Sequence, residues 1–177
     1  MTRTRADEIL DVAEREMRLG GFDAVSFRDI ATAIGIKSAS VHYHFPTKAE
    51  LGRAVVHRYA ERFVAALGDP RDPTVPPRAR LMRLTDAYDA ALRQDGATCL
   101  CAVLGAVAPR LPADIAAEIG EFYDMVSDWV HAALKDIDTS PSPELVISLL
   151  QGALTLSIAT RSGAPLQTAR AHIATLV

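Results

Sequence analysis

The stretch SFRDIATAIGIKSASVHYHFPTKAEL, residues 26 to 51, decides how this 177-residue chain is read. Ser26 and Asp29 stand in S-x-x-D spacing, the pattern in which a side-chain oxygen satisfies the first orphan amides of a helix. Phe27, Ile30, Ala31 and Ile34 follow at the three- and four-residue spacing of one buried helical face, and Gly35 ends it. After Gly35 and Ile36 comes a second short helix from Ser38 to Phe45, halted by Pro46, whose ring disfavours a helical residue before it. Thr47 and Glu50 repeat the capping pattern as T-x-x-E, and Leu51, Val55, Tyr59, Phe63 and Leu67 then recur every fourth residue along a long helix. Two short helices about a glycine turn make a helix-turn-helix, the unit that lays its second helix in the major groove of duplex DNA.

Upstream, Ile9, Ala13 and Met17 mark the inner face of a first helix, with Gly20 and Gly21 as its left-handed stop. Downstream, GDPRDPTVPP over residues 68 to 77 holds four prolines and no apolar periodicity, which predicts a connector. Beyond it the spacing predicts helices over 78–94, 97–108, 113–137, 142–161 and 164–176, separated at Gly96, Pro112, Pro141 and Gly163. Alternating β-branched patterns are scarce and no internal repeat occurs, so the expected fold is all-α with about nine helices. The expected domains are a helix-turn-helix domain over 1–50, a connecting helix over 51–67, and a C-terminal helical domain over 68–177.

With 49% hydrophobic and 23% charged residues the chain can bury a core. A net charge of −3 excludes a chain that is basic throughout, so any nucleic-acid contact must come from a local patch. Between Val25 and Tyr59 the charged residues are Arg28, Lys37, Lys48, Arg53 and Arg58 against Asp29 and Glu50, five basic to two acidic. The start, MTRTRADEIL, has no apolar run of the signal-peptide kind, and no stretch of about 18 apolar residues occurs, so the expectation is a cytoplasmic protein without a membrane partner.

Within the patch, Ser38, Ala39 and Ser40 are small enough for the helix start to approach base edges, while Tyr43 and His44 can donate to phosphate oxygens. Lys48 adds a cation in the first turn of the next helix, where backbone amides already favour an anion. Arg3 and Arg5 precede the first helix, either as an arm toward the neighbouring groove or as a frayed terminus. His42 and His44 point about 200° apart around a helix and so do not form the i, i+4 pair that chelates a metal. No metal or cofactor is expected.

These residues resemble the TetR family of bacterial transcriptional regulators. The resemblance runs from about Ile9 to Leu51, where the quoted stretch matches that family's Ser/Thr-x-x-x-Ile-Ala, Gly-Val, Leu-Tyr-x-His/Tyr-Phe and Ser/Thr-Lys-x-x-Leu pattern. It implies a homodimer that binds an operator through this module and carries a small-molecule site in the remainder of the chain. It also places Arg28, Lys37, Ser38, Ser40, His42, Tyr43, His44 and Lys48 at positions that commonly touch DNA, with Phe45 as the buried anchor of the recognition helix. His42 departs from the pattern, standing where the family usually has tyrosine.

In the C-terminal part, Leu81, Leu84 and Tyr88, then Cys99, Leu100 and Leu104, then Phe122, Met125, Val126 and Trp129 could enclose an effector cavity; plain core is the other reading of such spacing. The expected ligand-binding set is Tyr88, Cys99, Leu104, Phe122, Met125 and Trp129. The last two helices offer more apolar face than a small domain needs, and Leu145, Leu149, Gly152, Leu156, Leu166 and Ile173 form the expected dimer interface of a four-helix bundle. Cys99 and Cys101, two apart on a helix, face different sides and do not suit a mutual disulfide.

The function expected is a ligand-responsive regulator, in the usual case a repressor, that binds a palindromic operator as a homodimer and is released by a small molecule. The alternative is a thiol-based redox or electrophile sensor using Cys99 or Cys101, which requires exposure and a depressed thiol pKa. Further behind stand a helical thiol- or metal-dependent enzyme and a pure interaction module. The chain has no G-x-S-x-G, no Gly-rich phosphate loop and no H-E-x-x-H, so it is not expected to be an enzyme.

Overall fold

The computed structural model describes residues 4–95, 98–135, 137 and 141–176, so Arg3 and the expected helix break at Gly96 lie outside the described residues. Among the described residues nine α-helices follow one another: α1 (Arg5–Gly20), α2 (Phe27–Ala33), α3 (Ser38–His44), α4 (Lys48–Leu67), α5 (Pro77–Asp95), α6 (Leu100–Gly105), α7 (Ala113–Ala133), α8 (Pro143–Ala159) and α9 (Ala164–Ile173). Short 3₁₀ turns occupy Phe22–Ala24 and Ala108–Arg110, and no strand occurs among the described residues. The all-α expectation holds, and most helix limits fall within a few residues of the sequence reading. The exceptions are α6, which stops at Gly105 ahead of Pro109, and α7, which ends at Ala133.

The chain divides into two compact units, Met1–Ala60 with Leu100–Glu121, and Glu61–Cys99 with Phe122–Val177. In the first, α1 opens with a full capping box: Thr4 Oγ1 accepts from the Asp7 N–H at 3.2 Å, and the Thr4 N–H donates to Asp7 Oδ2 at 2.9 Å. Arg5, read from the sequence as preceding the first helix on an arm or a frayed terminus, is the first residue of this helix and pairs with Glu8 one turn on. Ile9, Ala13 and Met17 are fully buried as predicted, alongside Ile30, Val41, Leu51, Val55, Leu104 and Ile115. Burying each large aliphatic side chain stabilises the unit by about 1.5–3 kcal/mol. Arg58 of α4 ties down α1, with Nη2 at 2.8 Å from Asp11 Oδ1 and 3.4 Å from Glu14 Oε2, and Nη1 donating to the Asp7 carbonyl. The short α6 packs on α1.

The second unit holds the end of α4, α5, the later part of α7, α8 and α9. Phe63 stands edge-on to Tyr88 at 5.7 Å and to Phe122 at 5.3 Å, the offset geometry that aromatic quadrupoles favour. The indole Nε1–H of Trp129 donates to the Gly68 carbonyl at 2.8 Å, closing the end of the connector. Within that connector, hydrogen bonds from the Thr74 hydroxyl and N–H hold the Asp72 carboxyl below its ordinary value. The α8–α9 hairpin is pinned by buried Ser157, whose Oγ accepts from the Leu166 N–H at 3.1 Å. No helix among the described residues is long and apolar enough to cross a membrane.

Candidate nucleic-acid interface

The turn between α2 and α3 depends on Gly35 at φ +69°, a left-handed conformation that costs other residues about 1–2 kcal/mol. Ser26 Oγ caps α2 by accepting from the Asp29 N–H, and the Ile36 N–H returns to the Ala31 carbonyl at 2.9 Å. Buried Val41 and Phe45 anchor α3 from its inner side. Its outer side presents Ala39, His42, Tyr43 and His44, with Tyr43 84% exposed, and Ser38 and Ser40 half-buried at the rim. An exposed phenol on a short helix held by two buried residues has no packing role to explain it. Phenol and imidazoles together supply donors for phosphate oxygens and base edges.

Two contacts qualify the sequence reading. The His42 ring lies edge-on to Phe27 at 4.5 Å between centroids, so it is steered by α2 rather than free to swing. Lys48 donates from Nζ to the Asp23 carbonyl at 3.2 Å and sits over the Phe22 ring at 4.8 Å. The count of five cations also overstates the patch, because Arg53 is paired with Glu118 and Arg58 with Asp11 and Glu14. Arg28 and Lys37 are exposed and make no ion pair among the described residues. The start of α4 keeps its expected reciprocal cap, with the Thr47 N–H donating to Glu50 Oε2 at 2.9 Å and Thr47 Oγ1 accepting from the Glu50 N–H at 3.1 Å.

The predicted effector residues do not gather as expected. Tyr88, Phe122 and Cys99 are buried in the second unit, Trp129 is spent on the Gly68 carbonyl, and Met125 is partly exposed. Leu104 belongs to the core of the first unit, because α6 packs on α1. A feature the sequence reading missed is an open cleft of about 430 Å³ between α7 and α8, lined by Tyr123, Asp124, Ser127, Glu144, Ile147, Ser148 and Gln151. Its signal was present as polar residues at helical spacing on two neighbouring helices, a pattern that also describes any solvated face.

The six predicted interface residues split. Leu145 and Leu156 are 55% and 56% exposed, Gly152 is exposed and Leu149 half-buried, so these four line one outward stripe of α8. Leu166 and Ile173 point inward and complete the packing of α9 within its own unit, which corrects their assignment. Cys99 and Cys101 are both buried and fall in different units. Burial denies oxidants and electrophiles the access that a sensor thiol needs, so the redox alternative is not favoured. Among the described residues no cluster of three or more His, Cys, Asp and Glu is placed to hold a metal.

Residues 9–55 match the family model described as bacterial regulatory proteins, tetR family. Over 81 residues, 46% of this chain, the sequence is 32% identical to the HTH-type transcriptional repressor KstR2 of Mycobacterium tuberculosis, and that stretch spans 40% of the repressor's length. The fold superposes on a TetR transcriptional regulator from Legionella pneumophila with a TM-score of 0.92 at 28% identity, covering 99% of this chain and 98% of that one. A TetR-family regulator from Agrobacterium tumefaciens, 24% identical, shares the fold alone with a TM-score of 0.88 over 96% of this chain and 95% of its own. Residues 9–55 thus carry a helix-turn-helix that matches the TetR family of bacterial regulatory proteins, on an all-helical fold shared with solved regulators of that family.

Proposed function

We propose that the protein is a ligand-responsive transcriptional repressor that binds a palindromic operator as a homodimer. The observation that carries this reading is the outer face of α3, where Tyr43 is 84% exposed beside His42, His44 and Ala39 while Val41 and Phe45 hold the helix from behind. Lys37 and Arg28 flank it as unpaired cations and supply the phosphate contacts; Tyr43 and His44 fix the register, and Ser38 and Ser40 read bases from the helix start. Lys48 stays at the edge of this surface, its charge shared with the Asp23 carbonyl.

Self-pairing proceeds through the α8 stripe of Leu145, Leu149, Gly152 and Leu156, an apolar row on a helix that already packs on α9. The effector enters the second unit, and the cleft on α7 and α8 has the volume of a small-molecule site. A ligand preferring one of two dimer forms by about 1–3 kcal/mol changes operator occupancy about 5- to 150-fold. Likeness to KstR2, named a transcriptional repressor, supports repression as the sign of the response. Such a protein works in the cytoplasm, where its DNA is.

Selection from a pool of random-sequence duplexes tests the reading. Recovery of an inverted repeat whose half-site centres lie about 34–36 Å apart, or a multiple of that spacing, is expected. Enrichment of no duplex at low salt contradicts it.

A further inference from the structure

The carboxylate of Glu118 sits 12% exposed on α7 and faces two basic residues of α4 at once. Arg53 Nη1 donates to Glu118 Oε1 at 3.2 Å, and His57 Nδ1 lies 3.1 Å from Oε2. Arg53 and His57 are four apart, on successive turns of one helix face, so a single acid spans a whole turn of α4. One residue before Arg53, α4 leaves no room for a side chain against α7. A Cβ at Gly52 would fall 2.6 Å from Ile115 Cδ1 on α7 and 2.8 Å from Cε2 of Phe22. All of these groups lie in the first unit, the one that contains the helix-turn-helix. Only residues 45 to 47 separate the end of α3 from the start of α4, so a change in the direction of α4 reaches the recognition helix through a three-residue link.

We propose that Glu118 is a positioning residue for sequence reading: by holding Arg53 and His57 it fixes α4 on α7 and thereby sets the angle at which α3 meets the groove. The proposal rests on the DNA-binding reading above. It gives the DNA-reading body a wider boundary than the helix-turn-helix, since the start of α7 becomes part of it. Helix α7 runs on past Glu118 to Tyr123, Asp124 and Ser127 of the cleft, so one element carries both the clamp and part of that lining.

The sign of the expected effect separates positioning from simple electrostatics. Removing a negative charge near DNA, and releasing Arg53, should by Coulomb interaction alone tighten binding to every duplex. Loss of positioning acts the other way, and only on the specific complex. The test is Glu118→Gln in the full chain, titrated by fluorescence anisotropy against the duplex selected by the wild-type protein and against a random duplex, with thermal melting of each chain. Expected are an unchanged melting curve, random-duplex affinity equal to or above wild type, and a ratio of selected to random affinity lower by about fivefold or more, the lower end of coupling between linked sites. Glu118→Asp, which keeps the charge, should recover part of that ratio. Selected-duplex affinity at or above wild type in Glu118→Gln overturns the proposal. So does an equal loss on both duplexes accompanied by earlier melting, which marks a merely structural residue. A wild-type chain that selects no duplex sinks the DNA-binding reading itself, a failure distinct from a Glu118 variant that behaves like wild type.

Discussion

A lysine contributes a phosphate contact only if its ammonium is at liberty to leave the protein surface, and that separates Lys37 from Lys48. Lys37 is exposed at the N-terminal edge of α3 without an ion pair, whereas Lys48 already serves the Asp23 carbonyl and the Phe22 ring. Lys37→Ala should therefore weaken binding to all duplexes and lower the slope of log affinity against log salt by about 0.9, the loss of one phosphate contact. An unchanged slope would remove Lys37 from the interface. For Lys48→Ala the expected slope change is smaller than for Lys37→Ala, and an equal or larger change would mean that the tether to Asp23 gives way on DNA. Substitution of Ser40, half-buried at the rim, should alter preference among operator bases more than overall affinity, as checked by repeating the duplex selection with the variant. Sequence reading proposed Tyr43 and His44 from their chemistry on the second helix and Lys37 from the family resemblance, and all three are exposed. It could not see that Arg53, Arg58 and Lys48 were engaged, since their partners Glu118, Asp11, Glu14 and Asp23 lie 65, 47, 44 and 25 residues away along the chain. No local pattern marks such pairs.

At the scale of elements, helix existence was legible from apolar spacing and caps. Thr47 and Glu50 form the expected reciprocal cap, and Ile9, Ala13 and Met17 line the predicted face. What periodicity does not encode is which helix packs on which. The pattern of Leu100 and Leu104 is the same whether α6 lies against aromatic residues of a pocket or against α1, and the structure puts it against α1. Leu166 and Ile173 misled for the same reason, because an apolar stripe reads identically whether it faces its own core or a second chain. The packing of α4 gives a further prediction. Gly52→Ala pushes a methyl group into Ile115 and Phe22, and should lower the unfolding free energy by about 1–3 kcal/mol, measured by urea titration. Stability equal to wild type would mean that α4 and α7 are not held as close as described.

For the whole molecule, the exposed leucines of α8 are a feature that a lone chain leaves unexplained. Leu145 and Leu156 stand on the outward stripe, where charge cannot be buried without cost. With self-pairing through this stripe as proposed, the double substitution Leu145→Glu and Leu156→Glu should raise the dimer dissociation constant at least about a hundredfold, since burying each leucine would contribute about 1.5–3 kcal/mol. Sedimentation velocity across a concentration series reads this directly, and an unaltered sedimentation profile would place the interface elsewhere. The same variant should keep its far-ultraviolet helical signal, because neither leucine is part of the core.

The most direct measurement joins the two ends of the molecule: stoichiometric titration of the purified protein into a short duplex carrying the selected inverted repeat, followed by sedimentation of the complex at low and moderate salt. Two chains per duplex are predicted, with affinity far above that for a random duplex and falling as salt rises. A protein that stays monomeric and ignores every duplex at low ionic strength would contradict the central claim.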